Sequence, residues 1–138
     1  MVTLKTLKSG HNKGTATVEA AFVFPVLLLL IFGAIHYGWL FMRANQIANA
    51  ARQGVRAAIV GRDGYDAVDV VMLSEFVHLS TSDYTTSVSP TSVSPGEPIT
   101  VTVTVQTANS KIGLINIPML PTPTQLRASV TMAKEGRP

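Results

Sequence analysis

The chain has no cysteine. Structural disulfides, thiolate metal sites and a cysteine nucleophile are therefore excluded. Charge is also scarce: 14% of residues are charged against 46% hydrophobic. The shortage is local, since the 23 residues from Ala20 to Met42 contain no Asp, Glu, Lys or Arg. Only three histidines occur, His11, His36 and His78, at spacings that suit no metal site, and none has an evident carboxylate partner. No glycine-rich phosphate loop follows a strand pattern. Asp63, Asp66, Asp69 and Glu75 gather around one helical segment, where capping and solvation account for them. Catalytic residues, metal and cofactor are thus expected to be absent, and the chain does not read as an enzyme. The net charge of +3 comes from lysines and arginines on either side of the apolar run. A nucleic-acid surface would instead cluster basic residues with aromatic stacking partners, so no nucleic acid is expected.

What is present begins with a basic, acid-free leader, Met1 to Gly14, carrying Lys5, Lys8 and Lys13. The apolar run that follows exceeds the ~20 residues needed to cross a bilayer core. Helix is the one single-segment structure that satisfies its own backbone groups in lipid. A span over about 20–42 is predicted, with the lipid bilayer as its first partner. Pro25 removes one helical hydrogen bond and is expected to kink the helix. Tyr37, Trp39 and Phe41 suit an interfacial aromatic belt, and Arg43 marks the exit into water.

The helical pattern continues past Arg43. Leu40, Ala44, Ile47, Ala51, Val55 and Ala58 recur at three- and four-residue steps, with Arg43, Asn49, Arg52 and Arg56 on the opposite side. Gly61 and Gly64 supply the stop. One helix over about 16–60 is predicted, roughly 65 Å long at about 1.5 Å per residue. Its outer half keeps an apolar stripe and must pack on something.

A shorter helix is predicted from Asp66 to Leu79, with Val68, Val71, Met72, Phe76 and Leu79 on one face and Asp63 or Asp66 as cap. Thr86 to Pro95 is a tandem TSVSP duplication, whose prolines make it a turn or irregular edge, read here as a loop tip. Ile99 to Thr107 alternates strictly: Ile99, Val101, Val103 and Val105 share one face, and Thr100, Thr102, Thr104 and Gln106 the other. Leu126 to Met132 alternates likewise. Pro118, Pro121 and Pro123 interrupt the connection between the two. Two or three antiparallel strands covering the amphipathic half of the long helix give an α+β architecture, with a small domain over 61–138. The duplicated loop and the threonine face are candidate contact surfaces.

A cleaved secretory signal is a competing reading of the N-terminus. Ala48-Asn49-Ala50 mimics a small-x-small cleavage site. It lies well past the apolar core, however, beyond the aromatic belt and Arg43. Glu19 is the residue that resists a plain anchor: a carboxylate at a span's edge costs little if it stays among the headgroups, whereas ionisable groups inside a span are functional by default.

Lys13-Gly14 followed by TATVE and a long apolar helix resembles a type III signal sequence of the prepilin class. Such leaders are cut after the glycine by a membrane prepilin peptidase, and the glutamate five residues on is kept for filament assembly. The resemblance implies cleavage between Gly14 and Thr15, with Glu19 as the assembly glutamate. In laterally packed subunits a free ammonium at Thr15 of a neighbour would pair with that carboxylate.

More specifically, GTATVEAAFVFPVLLLLIFGAIHYGWLFM with ANQIANAARQGVRAA is similar to TadE-like proteins, the minor pseudopilins of tight adherence (Tad/Flp) pilus systems. Glu19, Phe22, Pro25 with its leucines, and the stretch Ala50-Ala51-Arg52, Gly54, Arg56, Ala57 carry the likeness, over about residues 13–60. Two positions depart from it: Ala20 follows the glutamate where Phe or Tyr is frequent, and His36 stands where a carboxylate is common, so His36 is given no role. The resemblance implies a pilin-like fold with a leader over 1–14, a helix over 15–60 and an extracytoplasmic domain. It further implies residence in the bacterial inner membrane, N-terminus cytoplasmic and C-terminal domain periplasmic, with possible incorporation in the pilus. The implied partners are a prepilin peptidase, other pilin and minor pseudopilin subunits, and the inner-membrane assembly platform. Charge gives little on orientation, with three lysines before the span and three arginines in the fifteen residues after it. The alternative is an unprocessed single-pass membrane protein with an extracytoplasmic binding domain.

Overall fold

A computed structural model describes residues 12–76, 78–91, 94–107 and 120–136. The elements are helix α1 (Asn12–Ile59), helix α2 (Gly64–Glu75) and strands β1 (Tyr84–Ser89), β2 (Pro98–Gln106) and β3 (Gln125–Ala133). The α+β architecture expected from the pattern is what forms. The chain divides into two compact units, residues 1–35 and 36–138, and α1 contributes to both. Most of the predicted leader lies outside the described residues.

In the first unit the described residues are all helix. Their large apolar side chains are exposed, among them Phe22, Phe24, Leu30 and Ile35. Nothing there forms a core. Helix α1 is long and apolar enough to cross a membrane by length and composition.

The second unit has a true core. Helix α1 ends in a Schellman turn: Arg62 N–H donates to the Ala57 carbonyl (2.9 Å) and Gly61 N–H to that of Ala58 (3.1 Å). Gly61 sits at φ 78°, a left-handed conformation that glycine adopts without steric cost. The reversal leads directly into α2, capped by Asp63, whose carboxylate accepts from Tyr65 N–H at 2.8 Å. Of the two candidate caps, Asp63 is the one used. Helix α2 stops at Glu75, four residues short of the predicted Leu79. Phe76 and Leu79 are nevertheless buried with Val68 and Met72, so the apolar face continues in non-helical chain.

The three strands form one antiparallel sheet in the order β1-β2-β3. Central β2 alternates as predicted, placing Ile99, Val101, Val103 and Val105 inside and its threonines outside. Strand β3 adds Leu126, with Ala128, Val130 and Met132 packed at its margin. Strand β1 corrects the sequence reading: the first TSVSP copy is not a loop tip, because Thr86 to Ser89 pair with Val103 to Thr100 as an edge strand. An edge strand needs ladder partners on one side only, which is how this stretch tolerates Pro90 immediately after it. Of the second copy, Ser92 and Val93 lie outside the described residues.

The core joins Ile47, Ala50, Ala51 and Val55 of α1 with Val68 and Met72 of α2 and the inner sheet face. Full burial of a Val or Met side chain contributes about 1.5–3 kcal/mol, so this shared layer is what the stripe on the outer half of α1 is for.

Candidate functional site

The predicted Gly14–Thr15 junction lies within α1, because the helix begins at Asn12 and not near Ala16. Its first described turn carries no acidic residue, the type that the positive end of a helix favours. A Cβ placed on Gly14 would meet nothing within 4 Å. No tertiary packing therefore favours helix at Gly14, a residue that is itself a poor helix former.

Glu19 is exposed one turn beyond the junction, preceded by Thr15 and Thr17 and followed by an uninterrupted apolar run. Phe22 is 76% exposed. Pro25 lies inside the helix, which continues through it. The missing proline N–H leaves the Ala21 carbonyl without its usual helical donor. The candidate residues Gly14, Thr15, Glu19 and Pro25 thus share one exposed helical segment, with a single carboxylate at the start of its apolar run.

The far end of the apolar run is built differently. His36 is buried, and its Nε2 has no hydrogen-bond partner. Its ring stands edge-on to Tyr37 with centroids 5.7 Å apart. The Tyr37 hydroxyl donates to the Pro121 carbonyl at 3.2 Å, so the β2–β3 connection returns to α1 at this level.

Arg43 was expected on the solvent side. Instead it is half-buried, with its guanidinium carbon 4.7 Å from the Trp39 ring centroid and 4.8 Å from that of Phe76. The charge is held between two aromatic faces, where the ring quadrupoles attract it. Its Nη1 donates to Gln46 Oε1 at 2.9 Å, and Gln46 Nε2 donates to Glu75 Oε2 at 3.0 Å. Burial lowers the Arg43 pKa from its ordinary value, and the nearby Glu75 charge opposes that shift. Sequence periodicity missed this because a helical wheel reports the direction of a side chain, not the length over which it can fold back onto an apolar surface.

The Ala50-Ala51-Arg52-x-Gly54-x-Arg56-Ala57 stretch splits into two jobs. Ala50, Ala51, Gly54 and Val55 are buried against α2 and β2, whereas Arg52 and Arg56 are exposed. Gly54 is needed for clearance: a Cβ there would stand 2.4 Å from Val68 Cγ2 and 3.2 Å from Val101 Cγ1.

Asp69 has a role that its spacing did not reveal. Its carboxylate accepts from the Tyr84 hydroxyl at 2.6 Å, tying α2 to the start of β1. Burial raises the Tyr84 pKa above the usual tyrosine range, helped by the hydrogen bond to Asp69 and then by its charge. Among the described residues no group of His, Asp or Glu is arranged to hold a metal ion. The exposed sheet face is a hydroxyl ladder, with Thr100 and Thr131 2.8 Å apart and Thr102 and Ser129 3.0 Å apart.

Residues 14–56 match a family model described as TadE-like protein. The match lies entirely within α1 and takes in the Gly14 junction, Glu19, Pro25 and the Ala-Ala-Arg-x-Gly-x-Arg stretch. No curated protein and no solved structure matches the chain.

Proposed function

We propose, from the TadE-like character of residues 14–56, that the protein is a minor pseudopilin acting in assembly of a tight adherence pilus. The family match and the long apolar helix support the coarser part of this reading, a structural pilus-associated protein with an N-terminal membrane anchor. The finer part is that a prepilin peptidase removes residues 1–14 and that α1 then packs against other subunits.

The observation that carries the reading is the state of the first half of α1: a helix with no core of its own, exposed apolar side chains, and one carboxylate at Glu19. In a bilayer that surface is solvated by lipid chains, with Glu19 held near the headgroups where its charge costs little. On leaving the bilayer the same surface needs other helices. Burying Glu19 among them would be unfavourable unless an opposite charge met it. Cleavage after Gly14 creates such a charge, the free ammonium at Thr15, on every processed subunit. Processing would thus supply the counter-ion that lateral packing requires. The second unit, folded around its own core, would stay outside the helix bundle, on the periplasmic side. The other pilins and the inner-membrane assembly platform are the partners this reading calls for.

The test is the N-terminus of the protein extracted from membranes of cells with an active prepilin peptidase. A chain starting at Thr15 is expected, and N-methylation there would be read in the same mass spectrum. An intact chain starting at Met1 would instead favour an unprocessed single-pass protein with an extracytoplasmic binding domain.

A further inference from the structure

Outside the apolar run, charge is sorted by helix. From Ala44 to Arg62 the chain carries Arg52, Arg56 and Arg62 and no acid. From Asp63 to Glu75 it carries Asp63, Asp66, Asp69 and Glu75 and no base. The two helices lie side by side and antiparallel, since Gln46 bonds Glu75 at one end and Gly54 packs on Gly64 and Val68 toward the other. Between them runs an open groove lined by Asn49, Gln53, Arg56, Val60, Asp66 and Val70. Val70 is 69% exposed and Val60 52%. Although Arg56, Arg62 and Asp66 all line this groove, none of them forms an ion pair among the described residues.

On this face Arg56 and Arg62 form a basic rail and Asp66 and Glu75 an acidic one, and with the exposed valines they make a surface that is complementary to itself. We propose that this α1–α2 face binds a second copy of the same chain, related by a two-fold axis parallel to α1. Rotation about that axis lays each basic α1 opposite the partner's acidic α2. Heights along the helices are preserved, so Arg56 and Arg62 meet the partner's Asp66 while Val60 and Val70 close the centre. The contact is isologous, so each pairing occurs twice. Both copies of α1 also keep the same direction, as two chains anchored in one bilayer must. That last point rests on the membrane reading; the charge match does not, and neither depends on leader cleavage.

Other occupants fit less well. Arg56 lies thirteen residues past Arg43, about 20 Å of helix beyond the apolar run, too far to serve lipid headgroups. A polyanion would be repelled by the neighbouring acidic rail. Exposed i,i+4 arginines such as Arg52 and Arg56 repel one another weakly within one chain, and an acidic rail opposite relieves that.

The absence of native cysteine makes the test direct. Full-length chains carrying Gln53→Cys and Val70→Cys, with different epitope tags, are co-expressed in membranes lacking prepilin peptidase and pilus genes, then mildly oxidised. A mixed Gln53–Val70 disulfide dimer is expected, whereas Ser129→Cys on the outer sheet face should give none. Adding Arg56→Glu to both chains should lower the yield about tenfold, because like charges then oppose each other at both copies of the contact. Adding Asp66→Arg as well should restore it, and that restoration separates lost pairing from lost folding. The proposal is overturned by a mixed-dimer yield no higher than the Ser129→Cys control. Cross-linking only to a different protein, or a yield indifferent to both charge changes, would overturn it equally. None of these outcomes bears on where the mature chain begins.

Discussion

Gly54 of α1 and Gly64 of α2 face each other closely, each standing against the other's backbone. A Cβ on Gly54 would stand 3.1 Å from the Gly64 carbonyl oxygen, and one on Gly64 would stand 3.1 Å from that of Gly54. This reciprocal contact fixes how near the two helices come, and with that the depth of the core between them and the sheet.

Gly54→Ala should therefore destabilise the second unit by about 1–3 kcal/mol, the usual cost of forcing a methyl into a filled site. The tightest clash is with Val68 Cγ2 at 2.4 Å, so Val68→Ala in the same chain should recover part of the loss. Gly38→Ala is the control, because nothing lies within 4 Å of its Cβ position. Thermal unfolding of the full-length protein in detergent, followed by circular dichroism, checks the order of the three. Equal melting temperatures for Gly54→Ala and Gly38→Ala would contradict the packing described.

The Tyr84–Asp69 bond predicts a pH dependence. The tyrosine pKa is raised in the folded state, so the folded form favours the protonated hydroxyl. Stability from this group is fully present below the unfolded tyrosine value of about 10 and is lost as pH rises through the higher folded value. Denaturant midpoints measured between pH 8 and 11 should fall more steeply for the native chain than for Tyr84→Phe. At pH 8 the substitution should cost about 1 kcal/mol for the lost hydrogen bond. Parallel curves would show that Tyr84 is not the titrating group.

Arg43→Lys keeps the charge and loses the planar group that lies between Trp39 and Phe76. A loss of about 1 kcal/mol is expected. Trp39 is the only tryptophan in the chain, so the emission comes from the ring that Arg43 covers. A red shift and higher accessibility to a water-soluble quencher are expected in Arg43→Lys. Unchanged emission would mean that the stacking is not maintained in solution.

Glu19→Ala separates insertion from assembly. The side chain is exposed and touches no part of the core, so membrane insertion, folding of the second unit and leader processing should proceed as in the native chain. Co-purification with other pilin subunits should be lost, and Glu19→Asp should restore it in part. Undiminished co-purification of the alanine variant would remove Glu19 from assembly.

The sequence alone determined what depends on local periodicity and composition. The helix through the 23-residue charge-free run, the stripe from Ile47 to Val55 and the alternation of Ile99 to Val105 each follow from side chains a few residues apart, and each formed as read. The cap was narrowed to Asp63 or Asp66, and the structure uses Asp63. The proposed Gly14 junction and Glu19 rest on the sequence motif alone, because a leader motif is linear. The tertiary structure decided what depends on residues far apart in the chain. It turned the first TSVSP copy into an edge strand, since only β2 offers those residues a ladder. It drew Arg43 inward, since Phe76 arrives from the end of another helix. It gave Asp69 a partner in Tyr84, and it showed that Gly54 is small because Gly64 and Val68 stand against it. A helical wheel assigns a side chain to a face; what meets that face is settled only when the distant parts of the chain come together.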